Sequence, residues 1–349
     1  MKRVLVGLLF LTGLLAFAIW LFRTPDADIA KLEAAYGAAP SQFMTLPTGE
    51  RVHFRDQGNN TGKVLLLLHG TSSSLHTWQP WIERLGDDYR IITLDLPGHG
   101  LTGPVANCDY SVSCSINLVE NFRSALGFNS FVIGGNSFGG NVAWRYTLEH
   151  PSFVEALILS DASGGPNINP APLTPAFVLA SIPIANLLIE VIAPRFMIEQ
   201  GLKDATEIDE AVTEERVDRY WQLGLRPGNR RALRLRMTAP RNGPLFHEAL
   251  AKLQIPTLIL WGREDRFVDM ADGEWFARTI PGAKLAIYDG VGHLPMIEAP
   301  DLSAIDVREF LQSLPEEETT IAPEAGTKLE PEPEPETEKP VLESNTDTG

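Results

Sequence analysis

The 349-residue sequence has little cysteine and no cysteine–histidine spacing typical of a metal site. Its two cysteines, Cys108 and Cys114, exclude a small disulfide-rich scaffold, and the sequence leaves open whether they pair. Basic residues are also scarce, since 29 Lys and Arg stand against 45 Asp and Glu, a net charge of −16. An acidic chain repels phosphate backbones, so a nucleic-acid partner is not expected. No internal repeat is visible.

Much of the negative charge lies at the C-terminus. Residues 315–349 contain eleven Asp and Glu against two Lys, a balance of −9, together with many prolines and no aromatic residue. Such a segment cannot bury a core. We therefore predict a disordered, acidic Pro/Glu-rich tail over 315–349, either as a solubilising extension or as a docking segment.

The N-terminus contains one long apolar run. From Val4 to Phe22 the sequence has 19 residues without a charge, and as a helix this run would be about 28 Å long, close to the hydrocarbon thickness of a bilayer. We predict an N-terminal transmembrane helix as a membrane anchor over 1–23, with 4–22 as the span. Lys2 and Arg3 precede it, so the positive-inside rule places the remaining chain on the periplasmic or outer face. The alternative is a signal peptide cleaved after 16–18, which would release a secreted protein.

Between these ends, short apolar runs alternate with helical patterns. Uninterrupted runs of Val, Ile and Leu, such as "KVLLLLH" and "PTLILWG", are typical of parallel strands that are buried on both faces. Strand–helix alternation predicts an α/β fold with a mostly parallel, doubly wound sheet. We assign 45–164 and 246–314 to this core and 24–44 to a linker. Residues 165–245 show helical patterns and no strand pattern, which predicts a helical cap inserted into the core.

The stretch "GGNSFGGN" contains a G-x-S-x-G pattern, which by itself is a weak signal. Its context strengthens it, because Ser137 stands between a predicted strand, "FVIGG", and a predicted helix, "FGGNVAWRY". A serine raised on such a turn needs a strained backbone, and side chains at Gly135 and Gly139 would collide there. Ser137 is therefore our candidate nucleophile.

A serine needs a base and an orienting carboxylate to act as a nucleophile. Asp265 follows the strand "LILWG", and His293 follows the next strand, so both are expected at the same sheet edge as Ser137. We predict His293 as the base and Asp265 as the acid. Asp161, at the end of "LILSDAS", is the second choice for the acid, and Glu264 is a further rival.

The backbone amides of Phe138 and Thr71 are the candidate oxyanion-hole donors. Phe138 follows the nucleophile at the start of a helix, and Thr71 lies in the loop after the strand "LLLLHG". Ser72 is the alternative to Thr71. His69 and His99 lie in glycine-containing turns, where hydrogen bonds to loop backbone are the expected role.

Taken together, the segments "LLLLHGTSSSLHTW", "DLPGHGLT", "GGNSFGG", "LILWGREDRFV" and "GVGHLPMIEAP" resemble successive signatures of the alpha/beta-hydrolase superfamily, over about residues 45–313. The resemblance implies the alpha/beta-hydrolase fold, a cap, and a catalytic triad of Ser137, His293 and Asp265. It also implies that neither a metal nor an organic cofactor is needed.

Several functions remain open on the sequence. The leading hypothesis is a serine esterase that cleaves a carboxylic ester through an acyl-enzyme, and the expected small-molecule substrates are lipophilic esters. The second is a carbon–carbon hydrolase of ring-cleavage products, because "GNSFGG" is similar to the nucleophile turn of that group. That group favours a Gly/Pro-rich stretch after His-Gly, whereas this chain has "TSSS". The third is a membrane-tethered binding protein that has lost its chemistry.

Overall fold

The computed structural model describes residues 10, 12–14, 17, 19–170, 185–239 and 244–315. The chain divides into two units, 1–314 and 315–349. All the elements given below lie in the first unit. The predicted tail lies outside the described residues except for Pro315, so it stays a prediction.

The core of the first unit is one eight-stranded sheet. In chain order its strands are β1 (Ser41–Thr45), β2 (Arg51–Gly58), β3 (Val64–Leu68), β4 (Arg90–Leu94), β5 (Phe131–Asn136), β6 (Val154–Ser160), β7 (Thr257–Gly262) and β8 (Lys284–Tyr288). Their order in the sheet is β1-β2-β4-β3-β5-β6-β7-β8. β2 pairs antiparallel with both β1 and β4, and all other neighbours are parallel. The predicted mostly parallel sheet is confirmed.

Helices follow most of the strands. The described α-helices are α1 (Ile29–Tyr36), α2 (Gln79–Leu85), α3 (Val112–Leu126), α4 (Phe138–Glu149), α5 (Arg195–Ala205), α6 (Glu214–Gly224), α7 (Asn229–Met237), α8 (Pro244–Leu250), α9 (Met270–Thr279), α10 (Pro295–Glu298) and α11 (Pro300–Gln312). Short 3-10 helices cover Leu75–Trp78, Pro151–Phe153, Ala185–Glu190 and Asp209–Ala211.

The sheet is covered on both faces, which explains its uninterrupted apolar strands. In β3, Leu66 and Leu68 belong to one buried cluster, which includes side chains of α3, α4 and α9. Leu65 and Leu67 belong to a second cluster, which includes side chains of α2 and α11. Successive side chains of a strand point to opposite faces, so a strand buried on both sides has no polar positions.

The segment between β6 and β7 forms helices without a strand in its described part, in agreement with the predicted cap. It contains α5, α6 and α7 and leads into α8, whereas 171–184 and 240–243 lie outside the described residues.

The segment 24–44, which we predicted as a linker, is structured and differs from that expectation. It contains α1 and most of β1, and Leu32 of α1 packs with Leu101 and Leu223. The physical reason is that β1 is a short edge strand in which no residue is fully buried, so it lacks the continuous apolar run that marks the central strands. The chain before α1 also contacts the cap, where Arg230 of α7 lies 2.7 Å from Asp26.

About half of the predicted membrane span, 4–22, lies outside the described residues. Among those that the structure describes, no helix is long and apolar enough to cross a bilayer. The anchor therefore stays a prediction. The structure does pair Cys108 with Cys114, closing the short loop before α3.

Candidate active site

Ser137 occupies a sharp turn between β5 and α4. Its backbone has φ 53° and ψ −117°, a left-handed conformation that is strained for a residue with a side chain. The flanking glycines are required for space: a Cβ on Gly135 would lie 2.3 Å from the backbone of Gly139, and a Cβ on Gly139 would lie 2.1 Å from the carbonyl oxygen of Leu68. The strain thus lies on the serine itself, and the glycines allow β5, α4 and β3 to approach closely.

His293 and Asp265 form a direct hydrogen bond. The His293 Nδ1 to Asp265 Oδ2 distance is 2.7 Å, and both side chains are buried. The other carboxylate oxygen, Oδ1, accepts hydrogen bonds from the backbone amides of Phe267 at 2.7 Å and Val268 at 3.1 Å. Because those amides fix the carboxylate, Oδ2 is held toward the imidazole. This arrangement leaves Nε2 of His293 as the ring nitrogen that can accept a proton.

The loop that carries His293 is tied to the serine turn. Asn136, the last residue of β5, donates from Nδ2 to the backbone carbonyl of His293 at 3.0 Å. The backbone amide of His293 donates to the carbonyl of Ala205, at the end of α5 in the cap, at 2.7 Å. The structure therefore brings Ser137, His293 and Asp265 to one edge of the sheet. Sequence reasoning missed the role of Asn136, although it lies next to the serine in the quoted motif.

Asp161, the rival acid, has different partners. Its Oδ1 accepts from the backbone amide of Gly262 at 2.9 Å, and the hydroxyl of Ser160 donates to its Oδ2 at 3.0 Å. Burial, and next the negative charge of Asp265, hold the pKa of Asp161 well above its ordinary value. Asp161 is therefore harder to ionise than an ordinary carboxyl group, and the hydrogen bond of His293 goes to Asp265.

Asp161, Asp265 and His293 also bring their ligand-type atoms within 4.8 Å of one another. A metal ion there would compete with the hydrogen bond between His293 and Asp265 and with the two amides on Asp265. Asp161 is held separately by Gly262 and Ser160, so each of the three groups already has hydrogen-bond partners within the protein.

Two glutamates bind the backbone of the loop around His293, and neither forms a hydrogen bond with the imidazole. Glu264 accepts from the amides of Gly290 and Val291. Glu298 is buried, and its carboxylate accepts from four backbone amides, those of Glu207, Ile208, Gly292 and Leu294. Glu298 thereby joins the loop around His293 to the cap, a role that its position in "GVGHLPMIEAP" did not reveal.

The two residues predicted as oxyanion donors belong to segments that meet at Ser137. A Cβ on Gly70 would lie 3.1 Å from the Cβ of Ser137, so the loop carrying Thr71 passes directly against the serine. Phe138 begins α4, where backbone amides have no intrahelical acceptor. Neither the Thr71 nor the Phe138 amide donates a hydrogen bond to another residue that the structure describes. The alternative donor, Ser72, is exposed.

His69 and His99 both bind loop backbone. His69 Nδ1 lies 2.8 Å from the carbonyl oxygen of Gly70, and its Nε2 accepts from the amide of Leu96 at 3.0 Å. His99 Nδ1 lies 2.9 Å from the carbonyl oxygen of Pro97. Burial lowers the pKa of both imidazoles, so they are neutral hydrogen-bonding groups that hold the loops around the site.

The comparison with protein families agrees with this geometry. The model of the alpha/beta hydrolase family matches residues 65–305, more than half of the chain. The chain belongs to the alpha/beta hydrolase family. This confirms the resemblance and the fold that the motifs predicted, and it makes the chain a member of a hydrolase family.

Relatives of this alpha/beta hydrolase include enzymes of two kinds. It is 27% identical to the monoacylglycerol lipase abhd6-B of Xenopus laevis, over 72% of this chain and 75% of the relative. It is also 27% identical to a 2-hydroxy-6-oxononadienedioate/2-hydroxy-6-oxononatrienedioate hydrolase of Cupriavidus pinatubonensis, over 76% of this chain and 92% of that protein. Among solved structures, an esterase of Thermogutta terrifontis superposes with a TM-score of 0.65 at 26% identity, over 78% of this chain and 98% of the esterase.

Proposed function

We propose that this alpha/beta hydrolase is a serine hydrolase that cleaves carboxylic esters through an acyl-enzyme. The observation that carries the proposal is the 2.7 Å hydrogen bond between His293 and Asp265, at the sheet edge where Ser137 occupies its strained turn. A base oriented by a buried carboxylate beside a raised serine is the arrangement that acyl transfer requires.

The chemistry follows from the positions of the groups. Nε2 of His293 removes the Ser137 proton while Oγ attacks the ester carbonyl carbon, and the amides of Thr71 and Phe138 bind the oxyanion. His293 then protonates the leaving alcohol, and the acyl group remains on Ser137. A water molecule, deprotonated by His293, releases the carboxylic acid and restores the serine. Asp265 stabilises the imidazolium during both the acylation and the deacylation of Ser137.

The second candidate is carbon–carbon bond hydrolysis of a vinylogous diketo acid. The observation that favours it is the similarity to the Cupriavidus pinatubonensis hydrolase, which matches the lipase in identity. The same serine, base and oxyanion donors serve both reactions, so the residues that contact the rest of the substrate decide between them. We favour the ester because the loop after His69 reads "TSSS" and lacks the Gly/Pro-rich stretch expected for the other group.

A substrate panel tests the choice. We expect turnover of monoacylglycerols and 4-nitrophenyl esters of graded chain length, loss of turnover in Ser137→Ala with an unchanged melting temperature, and labelling of Ser137 by a fluorophosphonate. Turnover of the diketo acid with negligible ester hydrolysis would establish the second candidate. A folded wild-type protein that neither turns over a substrate nor reacts with the fluorophosphonate would be an inactive binding protein.

We further propose that substrates are lipophilic and that residues 4–22 anchor the catalytic unit to the periplasmic or outer face of a membrane. Support comes from the uncharged 19-residue run, from the exposed side chains of Trp20, Leu21 and Phe22 at its C-terminal end, and from the Cys108–Cys114 pair, which an oxidising compartment favours. The test is fractionation of cells carrying the full chain. Retention in alkali-washed membranes with protease access from outside is expected, whereas a soluble product shortened at its N-terminus would indicate a cleaved signal peptide.

A further inference from the structure

Helix α7 of the cap contains four arginines with different surroundings. Arg230 is paired with Asp26 at 2.7 Å, and Arg234 is paired with Glu190 at 2.5 Å. Arg231 is exposed to solvent. The fourth, Arg236, lies at the C-terminal end of the helix and reaches the candidate active site.

The Arg236 guanidinium contacts both oxyanion-hole residues. Its Nη1 donates to the hydroxyl of Thr71, and its Cζ lies 4.6 Å from the ring centroid of Phe138. The remaining nitrogens, Nε and Nη2, are closed off from solvent and have no acceptor within the part of the chain that the structure describes. The stem of the residue is partly exposed, so the burial concerns the charged head.

This charge has no carboxylate partner among the described residues, in contrast to Arg230 and Arg234. Burial lowers the pKa of Arg236 to about 10, which still leaves the guanidinium protonated at neutral pH. A buried cation without a counter-ion is destabilising, and proteins otherwise pair such groups or replace them. A site that holds an unpaired cation beside its catalytic groups therefore gains a counter-ion only when an anionic ligand binds.

The free atoms indicate the shape of that anion. Nε and Nη2 form one edge of the guanidinium, and their two N–H bonds point the same way, a fork that matches two oxygens of a carboxylate or a phosphoryl group. Nη1 is already engaged by Thr71. The oxyanion itself has the amides of Thr71 and Phe138, so the unpaired edge of Arg236 can serve a second negative group. Because that edge is closed off from solvent, the side chains that cover it must move when such a group binds.

We propose that Arg236 is a specificity-determining residue that binds an anionic oxygen group of the substrate, a carboxylate or a phosphoryl group close to the scissile carbonyl carbon. The proposal rests on the proposed ester hydrolysis. It predicts that esters with a negative charge near the reacting bond are better substrates than their neutral counterparts.

Matched substrate pairs test it on the full-length protein. The phosphoryl pair is 1-octanoylglycerol and its 3-phosphate, and the carboxylate pair is ethyl hexanoate and ethyl hydrogen adipate, each followed by acid release. We expect wild type to prefer the charged member of at least one pair, which identifies the source of the anion. In Arg236→Met the charged-to-neutral ratio of kcat/KM should fall by about tenfold or more, the loss typical of a charge-assisted hydrogen bond.

Two further variants control for charge and folding. Arg231→Gln removes an exposed arginine from the same helix and should keep the wild-type ratio. Arg236→Lys keeps the positive charge but loses the two parallel N–H donors, so it should give an intermediate ratio. This variant keeps the test possible if Arg236→Met does not fold. Fluorophosphonate labelling of Ser137 verifies the site in each protein.

The outcomes distinguish this proposal from the proposed ester hydrolysis on which it rests. An unchanged ratio of kcat/KM in both Arg236 variants would overturn the anion-binding role. An equal loss on charged and neutral esters would also overturn it, because Arg236 would then act by holding the oxyanion loop. A wild type that hydrolyses neutral esters without any preference for the charged ones also refutes it. A wild type that hydrolyses none of these esters contradicts the proposed function itself.

Discussion

Replacing Asp265 by asparagine tests the candidate triad most directly. In the wild-type structure Oδ1 accepts from the amides of Phe267 and Val268, and Oδ2 faces His293 Nδ1 at 2.7 Å. An asparagine must keep its carbonyl oxygen on those two amides, which directs its NH₂ group toward the imidazole. Nδ1 would then have to accept a hydrogen bond, and the proton would move to Nε2. That tautomer cannot take the proton of Ser137.

The expected loss is about 10⁴-fold in kcat, as for the wrong tautomer in a serine triad, or about 5.5 kcal/mol of transition-state stabilisation. The assay is hydrolysis of a 4-nitrophenyl ester by purified wild-type, Asp265→Asn and Asp161→Asn proteins, with melting temperatures to verify folding. Asp161 is bound by Gly262 and Ser160 and forms no hydrogen bond with His293, so Asp161→Asn should stay within about tenfold of wild type. If Asp265→Asn remained near the wild-type rate and Asp161→Asn lost activity, Asp161 would be the acid and the reasoning would be refuted.

Two further predictions concern stability. Because burial raises the pKa of folded Asp161 above its ordinary 3.8, its contribution to stability is complete below that pH and is lost as pH rises toward the folded pKa, by at most about 1.4 kcal/mol per pH unit. Asp161→Asn should therefore gain in melting temperature relative to wild type as the pH rises above about 4, where the unfolded carboxyl group ionises, and parallel pH curves would contradict the raised pKa. Glu298→Gln should lower the free energy of unfolding by about 1–3 kcal/mol and reduce kcat, because one acceptor oxygen is lost from four amides around the His293 loop. Denaturant titration checks this against Glu309→Gln, an exposed control. Equal stability of the two variants would show that the hydrogen bonds to the Glu298 carboxylate do not stabilise the fold.

Some of the site could be predicted because its signals are local. The strand before Ser137 and the helix after it are adjacent in sequence, and the glycines at 135 and 139 report close contacts that the turn itself creates. Asp265 and His293 follow successive strands, so the rule for carboxyl ends of parallel strands was enough to place them at one edge.

Other features depend on contacts between distant residues and have no local signal. β1 pairs only at the sheet edge and has no continuous apolar run, which is why the segment before residue 45 was taken for a linker. The Glu298 carboxylate binds the amides of Glu207 and Ile208, about 90 residues away in the chain. No periodicity of the cap indicated which of its arginines reaches the site.

The sequence by itself determined the sheet, the cap and the serine turn, because burial on both faces and steric crowding restrict residue types at neighbouring positions. Only the tertiary structure decided which carboxylate faces His293, since Asp161 and Asp265 both follow strands and differ in the amides and charges that folding brings to them. It also decided that Arg236 lies against Thr71, 165 positions away in the chain. Charge and hydrogen bonding act through space, so packing between the cap and the sheet decides which side chains meet at the site.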